Sequence, residues 1–261
     1  MKSARTSSLR SRNGTRDADA LRRAFRQELR RNLRRAGCKP RSGNIHAVRK
    51  GITKLRSWLR LVRKQIGSRR YRSHNRQLRH AARALAPIRD ARVILAAFET
   101  ITAAPAFPKA HQQLRKQARR AKKAAPALMR KVKRQLAQEL AASRRLALGK
   151  MTAADFADAL ERLRGEMNAA GAAARVVRSA ELLHTWRKRT KNYLHALAFI
   201  AGENNRRYTS AARINHRLGE DHDFTLLAAE LATRRRKPEN RALLSLIAVR
   251  RSKLQRWLFS G

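Results

Sequence analysis

Two short stretches carry the residue types best suited to holding a phosphate group. One opens at His46-Ala47-Val48-Arg49-Lys50 and the other at His184-Thr185-Trp186-Arg187-Lys188, so each sets Arg and Lys at the third and fourth positions after an imidazole. With side chains advancing by about 100° per residue, His46, Arg49, Lys50, Arg60 and Lys64 gather on one side of a helix. Val48, Ile52, Leu55, Leu59, Val62 and Ile66 fall on the other. The second copy keeps this register: His184, Arg187, Lys188, Lys191 and His195 share a face, opposite Trp186, Tyr193, Leu197 and Ile200. The planar guanidinium of Arg donates to two phosphate oxygens at once, and Lys adds a point charge. An imidazole beside a helix N-terminal turn donates to an anion that the free backbone N–H groups also favour. One basic helix face is ordinarily just solvated. A basic stripe that recurs in two copies, each led by histidine, points to anion binding.

The elements that would position these stripes also repeat. Leu85-Ala86-Pro87-Ile88-Arg89-Asp90 lies downstream of the first stretch and Leu218-Gly219-Glu220-Asp221-His222-Asp223 downstream of the second. Aligned on the leucine, Asp90 meets Asp223 and similar apolar runs follow. Such self-similarity implies two halves of one plan. The expected order is a helix capped by Thr15-Arg16-Asp17 and ending at Gly37, then a histidine-led helix from about Asn44 to Ile66 stopped by Gly67. A helix from Arg69 to Leu85 follows, then one capped by Asp90, then basic helical sequence from Ala110 to Leu148 broken near Pro126. The second half reads as a helix opened by Thr152 to Asp155 and running to about Val177. Next come the second histidine-led helix (about Ser179 to Ala201), a helix from Tyr208 to Leu218 ended by Gly219, one from Asp223 to Arg235, and a last one from Glu239 to Phe259. No segment alternates with the period of a strand. The expectation is an all-α, compact bundle, with a disordered basic tail over residues 1–14, a first repeat over 15–149 and a second over 150–261.

Composition agrees. The chain has 261 residues, 43% of them apolar, with only 11 Gly and 6 Pro, which favours helices around a real core. Lys and Arg number 64 against 17 Asp and Glu, a formal net charge of +47. A compact domain with that charge repels itself, and a polyanionic partner relieves the repulsion. Acids are absent from Leu29 to Arg89 and again from Thr100 to Gln138. An Arg-rich proteome would exchange Lys for Arg, but it accounts less well for these acid-free tracts. The single Cys38 excludes an internal disulfide and a cysteine-based metal site, and fits a reducing compartment. The longest apolar run, Leu243 to Val249, is too short to insert in a membrane. The first sixteen residues are Arg- and Ser-rich without an apolar stretch, as a transit peptide would also be, and are read instead as a tail.

The other candidates are weaker. Glu220, Asp221, His222 and Asp223 could suggest a metal site, yet the first-half partner stretch keeps only Asp90, so Asp90 and Asp223 read better as helix caps or partners of nearby Arg. His74, His80, His111, His216 and His222 read as packed or solvated residues. No glycine-rich phosphate loop, nucleophile elbow or paired carboxylates are apparent, and no cofactor is expected. Trp58, Trp186 and Tyr193 fall on or near apolar faces, so no exposed ring offers a base a stacking platform.

The two histidine-led boxes and the two Leu-x4-Asp boxes resemble the CHAD family, the conserved histidine α-helical domains, in order, duplication and spacing over nearly the whole chain from about residue 17. The resemblance implies two pseudo-symmetric helical repeats around a basic groove or channel that binds inorganic polyphosphate. By matching position, it implies as binding residues His46, Arg49, Lys50, Lys54 and Arg56 in the first box, to which the stripe adds Arg60. In the second box it implies His184, Arg187, Lys188 and Lys191. It further implies a cytoplasmic, non-enzymatic module associated with polyphosphate granules. Asn192, Leu194 and His195 stand where the family usually carries basic residues, Arg and Tyr, and Ala86-Pro87 stands where a glycine turn is usual. The competing readings are a protein contacting nucleic-acid phosphates non-specifically, and a phosphohydrolase acting on the bound chain.

Overall fold

The computed structural model describes residues 18–102, 106–146, 148, 151–233 and 238–260. The expected tail, the Thr15–Asp17 cap and the Gly149 boundary lie outside them. Among the described residues the chain forms ten α-helices: α1 (Ala18–Gly37), α2 (Ser42–Leu61), α3 (Arg63–Ala84), α4 (Ala86–Ile101), α5 (Pro108–Lys123), α6 (Ala125–Ala142), α7 (Ala153–Val177), α8 (Ala180–Ile200), α9 (Arg206–Ala232) and α10 (Pro238–Phe259). The all-α expectation holds.

Helix ends follow local chemistry where that chemistry is present. Thr152 and Asp155 form a reciprocal capping box at the start of α7, with the Asp155 carboxylate accepting from the Thr152 amide at 2.8 Å. Ser179 caps α8 and Asn205 caps α9 through their side chains. Gly202 ends α8 with φ 80°, a conformation open to glycine. Three boundaries differ from expectation. The first histidine-led helix ends at Leu61, and α3 begins at Arg63, before the non-helical Gly67 (φ 76°). Asp90 lies inside α4, which starts at Ala86 with Pro87 in its first turn, where the ring's missing N–H costs nothing. And α9 runs unbroken through Gly219, because a glycine inside a helix costs only about 1 kcal/mol against alanine.

The core runs through both halves. Leu21, Phe25 and Leu29 of α1, Val48, Ile52 and Leu55 of α2, and Leu183, Trp186 and Leu197 of α8 belong to one buried cluster. A second cluster joins Phe98 of α4 and Leu114 of α5 to Leu227 of α9 and Leu243 of α10. Burying each such side chain is worth about 1.5–3 kcal/mol. The histidine-led helices pack directly on each other, and Trp58 meets Phe199 across them with ring centroids 4.8 Å apart. Each is flanked on its apolar side by a long neighbour, α1 for α2 and α7 for α8.

Two glycines permit these flanking contacts. A Cβ at Gly51 would lie 2.2 Å from the Asn32 amide of α1, and one at Gly171 would lie 2.9 Å from the Trp186 ring. Asn32 is fully buried and its Nδ2 donates to the Glu28 carbonyl at 2.9 Å, so it cannot swing away freely. Gly51→Ala is therefore expected to destabilise the protein by about 1–3 kcal/mol, with partial recovery in Gly51→Ala/Asn32→Ala. Urea unfolding of the two variants measures this, and an unchanged midpoint in the single variant would refute the close approach.

Candidate functional site

The pairing of α2 with α8 turns the two basic stripes toward one another. His46 is the fifth residue of α2 and His184 the fifth of α8, each just beyond the free N–H groups of its helix. The imidazoles therefore meet side-chain charge more than backbone amides. Around His46 stand Arg92, Lys50, Lys191 and Arg49, drawn from α2, α4 and α8, and burial followed by these charges holds its pKa below the ordinary value.

At the centre are Arg49, Arg187 and Lys191, all half-buried. Among the described residues Arg49 Nη1 reaches only the Ala82 carbonyl, at 3.5 Å. Arg187 Nε is buried without a hydrogen-bond partner among the described residues, and its guanidinium passes Gly219 of α9, where a Cβ would sit 3.8 Å from Nε. Lys191 has no carboxylate within ion-pair distance among the described residues. Burial, reinforced by Arg187, Arg49 and Arg89, pushes its ammonium down to about 7. Burial likewise brings Arg187 to about 10.

Arg89 of α4 closes the floor. Its Nη1 contacts Asp90 at 3.0 Å and its Nη2 contacts Asp223 of α9 at 2.8 Å. Asp90 and Asp223 therefore act as Arg partners, and neither acts as a cap. The rings of His184 and His222 stack with centroids 4.5 Å apart, and His184 Nδ1 is buried without a partner among the described residues. Burial, then Lys188 and Arg187, lowers His184 to about 4; burial, then Arg187, lowers His222 to about 3. His195, half-buried beside Lys191, Lys54 and Lys50, falls to about 3, mainly through burial.

The remaining expected residues spread along α2 and α8. Lys50 and Lys188 are exposed, and half-buried Lys54 faces His195. Arg56 and Arg60 lie further along α2, toward α3 and α7. Arg56 Nε donates to Asn75 at 2.9 Å, while Arg60 Nη1 donates to the Arg56 carbonyl at 2.8 Å. Burial brings Arg56 to about 10.

Sequence reasoning missed Arg89 and His222. They occupy the same place, immediately before the aspartate of each Leu-x4-Asp box, and that equivalence was the available signal. The neighbouring acids face elsewhere. Asp221 is buried against Arg251 and Gln255 of α10, each at 2.9 Å, and Glu220 pairs with Arg217 at 3.2 Å. Of the aromatics, Trp58, Trp186 and Tyr193 are buried as expected, while Trp257 is an exception, 44% exposed beneath Arg217.

A family model, CHAD domain, matches residues 18–232. The chain belongs to the CHAD domain family. None of the curated proteins matches the sequence. Among solved structures the fold is similar to the CHAD domain from the plant Ricinus communis, with a TM-score of 0.65 and 18% identity over 90% of this chain and 83% of that one. It is also similar to PptA from Streptomyces chartreusis, with a TM-score of 0.69 and 19% identity over 92% of this chain and 95% of that one. The CHAD match ends at the close of α9, so α10 lies beyond it. No helix among the described residues is long and apolar enough to cross a membrane.

The three low histidine pKa values make a stability prediction. Above about pH 6.5 these imidazoles are neutral in both the folded and the unfolded chain. As pH falls, the unfolded chain takes up protons first, because the folded values lie near 4 and 3. The melting temperature of the free protein should thus drop between pH 6.5 and 4.5, ahead of most carboxylate titration. His195→Leu should lessen the drop. A flat melting temperature across that window would exclude this account.

Proposed function

We propose that the groove between α2 and α8 binds inorganic polyphosphate. The observation that carries this reading is the set of half-buried cations Arg49, Arg187 and Lys191, none of which has a carboxylate within ion-pair distance among the described residues. Desolvated cations are costly unless paired. A phosphate chain supplies the missing negative charge and acceptors for Arg187 Nε and the Lys191 ammonium. His46, Lys50, Lys54, Arg56, Arg60, His184 and Lys188 extend the site, with Arg89 and His222 added at its centre.

The shape of the charge favours a linear ligand. His46 to Arg60 spans about 21 Å of helix at 1.5 Å per residue, far longer than pyrophosphate. In this reading the groove holds its ligand and no reaction is assigned to it. The repeats, over 15–149 and 150–261, are taken as pseudo-symmetric. The repeated order of boxes supports this, as does the fifth-residue placement of both histidines. A cytoplasmic role at polyphosphate granules is part of the same proposal.

The test is competitive binding at several salt concentrations. Long-chain polyphosphate should bind far more tightly than pyrophosphate or ATP, with affinity falling steeply as salt rises, since each neutralised phosphate releases counterions. Excess DNA or RNA should not displace it. Equal affinity for ATP would point to a nucleotide pocket, and displacement by nucleic acid would favour non-specific phosphate-backbone binding in the groove.

A further inference from the structure

Outside the groove a strongly basic surface is the ridge formed by α5 and α6, which follow one another across a bend at Ala124. On α5, Arg115, Lys116, Arg119, Arg120, Lys122 and Lys123 are all exposed, and α6 adds exposed Arg130, Lys131 and Arg134. None of them makes an ion pair or a side-chain hydrogen bond among the described residues. The acids that approach α5 are engaged on its inner side or near its start. Glu230 accepts from Gln117 at 2.6 Å, Glu99 meets His111 at 3.4 Å, and Glu239 accepts from the Ala110 amide at 3.1 Å. Glu139 of α6 is buried against His74 at 2.7 Å. The exposed face of these two helices thus carries no acid.

Ordinary helix chemistry does not explain the pattern. Cations in a last turn are favoured by the helix dipole, which accounts for Arg120, Lys122 and Lys123 only. Arg115 with Arg119, Lys116 with Arg120, and Arg119 with Lys123 are like-charged pairs four residues apart, a spacing that weakens a helix. Burial scarcely compensates, because Ala110 and Leu114 are the only buried residues of α5. The ridge is also separate from the groove. None of the charges that perturb the groove histidines, Lys191, Arg49, Arg56, Arg60 or Arg187 comes from α5 or α6.

We propose that the α5–α6 ridge is a second polyanion site, which binds the phosphate backbone of duplex nucleic acid without reading its sequence. Neither helix contains Phe, Tyr or Trp, so the stacking on which single-strand binding relies is missing. An exposed, convex helix lined with long cationic side chains suits the backbone of a duplex, and contacts confined to phosphates carry no sequence information. A protein with both sites would hold polyphosphate and nucleic acid together.

The inference is independent of the groove reading, and one set of full-length variants tests both. A fluorescent 20-bp duplex is titrated by anisotropy against wild type, the ridge variant Arg115→Gln/Arg119→Gln/Lys122→Gln/Arg130→Gln, and the groove variant Arg49→Ala/Lys50→Ala/Arg187→Ala/Lys188→Ala. An equal-charge control, Arg69→Gln/Arg70→Gln/Arg72→Gln/Arg76→Gln, changes exposed positions of α3. The ridge variant should lose about 100-fold in affinity near 0.1 M salt, and its slope of log K against log salt should become shallower by about 3 to 4. The groove variant and the control should stay within a few-fold of wild type. An equal loss in the control would mean diffuse charge, and an equal loss in the groove variant would mean that DNA uses the groove; either overturns the inference. Titrating the ridge variant with polyphosphate separates the two readings. Retained polyphosphate binding with lost DNA binding supports two sites, whereas loss of both would overturn the second site.

Discussion

The variant Arg49→Ala/Lys50→Ala/Arg187→Ala/Lys188→Ala should keep its helical content and lose most of its affinity for long-chain polyphosphate, by about 1,000-fold or more. A hydrogen bond to a charged group contributes about 1.5–3 kcal/mol, and four such cations acting on one ligand exceed that loss even when their effects do not add fully. The fold should survive, because Lys50 and Lys188 are exposed and neither Arg49 nor Arg187 is held by an ion pair. Removing four cations from Arg5, Arg10, Arg12 and Arg16, outside the described residues, changes the net charge equally. Isothermal titration at fixed salt, with circular dichroism as the check on folding, compares the two. Equal losses would mean that total charge, and no particular groove, holds the ligand.

The second large effect concerns Lys191. Its pKa of about 7 means that the free fold resists the charge which a phosphate ligand would welcome. Lys191→Met keeps the length of the side chain and removes the ammonium. At pH 7 the free variant should be more stable than wild type by a few kcal/mol, given that each unit of pKa depression corresponds to about 1.4 kcal/mol. It should also bind polyphosphate more weakly. The pH dependence supplies the sign. Bound phosphate raises the Lys191 pKa back toward its ordinary value, so binding takes up a proton wherever the free amine is neutral. Below about pH 7 the amine is already charged and the linkage vanishes. Above it, wild-type affinity should fall as pH rises toward about 10. Lys191→Met should be flat over that range. The histidines act in a lower window: His184 is neutral in the free groove above about pH 4, so its contribution grows as pH falls toward that value. Should Lys191→Met be less stable than wild type and share its alkaline pH profile, Lys191 would be a packing residue and no ligand for phosphate.

Both effects express one conflict within the site. The groove concentrates cations where the core would prefer none, and its resting charge is reduced by neutral imidazoles and a half-titrated lysine. A ligand with many negative charges resolves the conflict.

How far this was legible in the sequence depends on the range of the interaction. Local patterning determined the helices, since apolar spacing selects period and end signals are short-range: the Thr152–Asp155 start of α7 and the span of α8, about Ser179 to Ala201, were readable. The two stripes were readable for the same reason, because residues three and four apart share a face whatever the rest of the chain does. Boundaries that depend on a neighbouring helix were not. Gly219 looks like a terminator, yet α9 runs through it beside the Arg187 side chain of α8, and Asp90 looks like a cap, yet it lies inside α4 next to Arg89, which reaches across to Asp223 of α9. The site's centre was decided by tertiary structure alone. Arg89 belongs to α4, His222 to α9 and Lys191 to α8, and only the packing of α2 on α8, of α8 on α9 and of α9 on α4 places them around one space. Their pKa values follow from that packing, because burial and the charges of other helices set them. Residue type and spacing declared that the chain holds many cations in two matched stripes. The packing of α2 on α8 decided which of those cations are drawn partly out of water and left without a counter-ion, and it is that combination, a property of the space between helices, which makes a charged face into a candidate site.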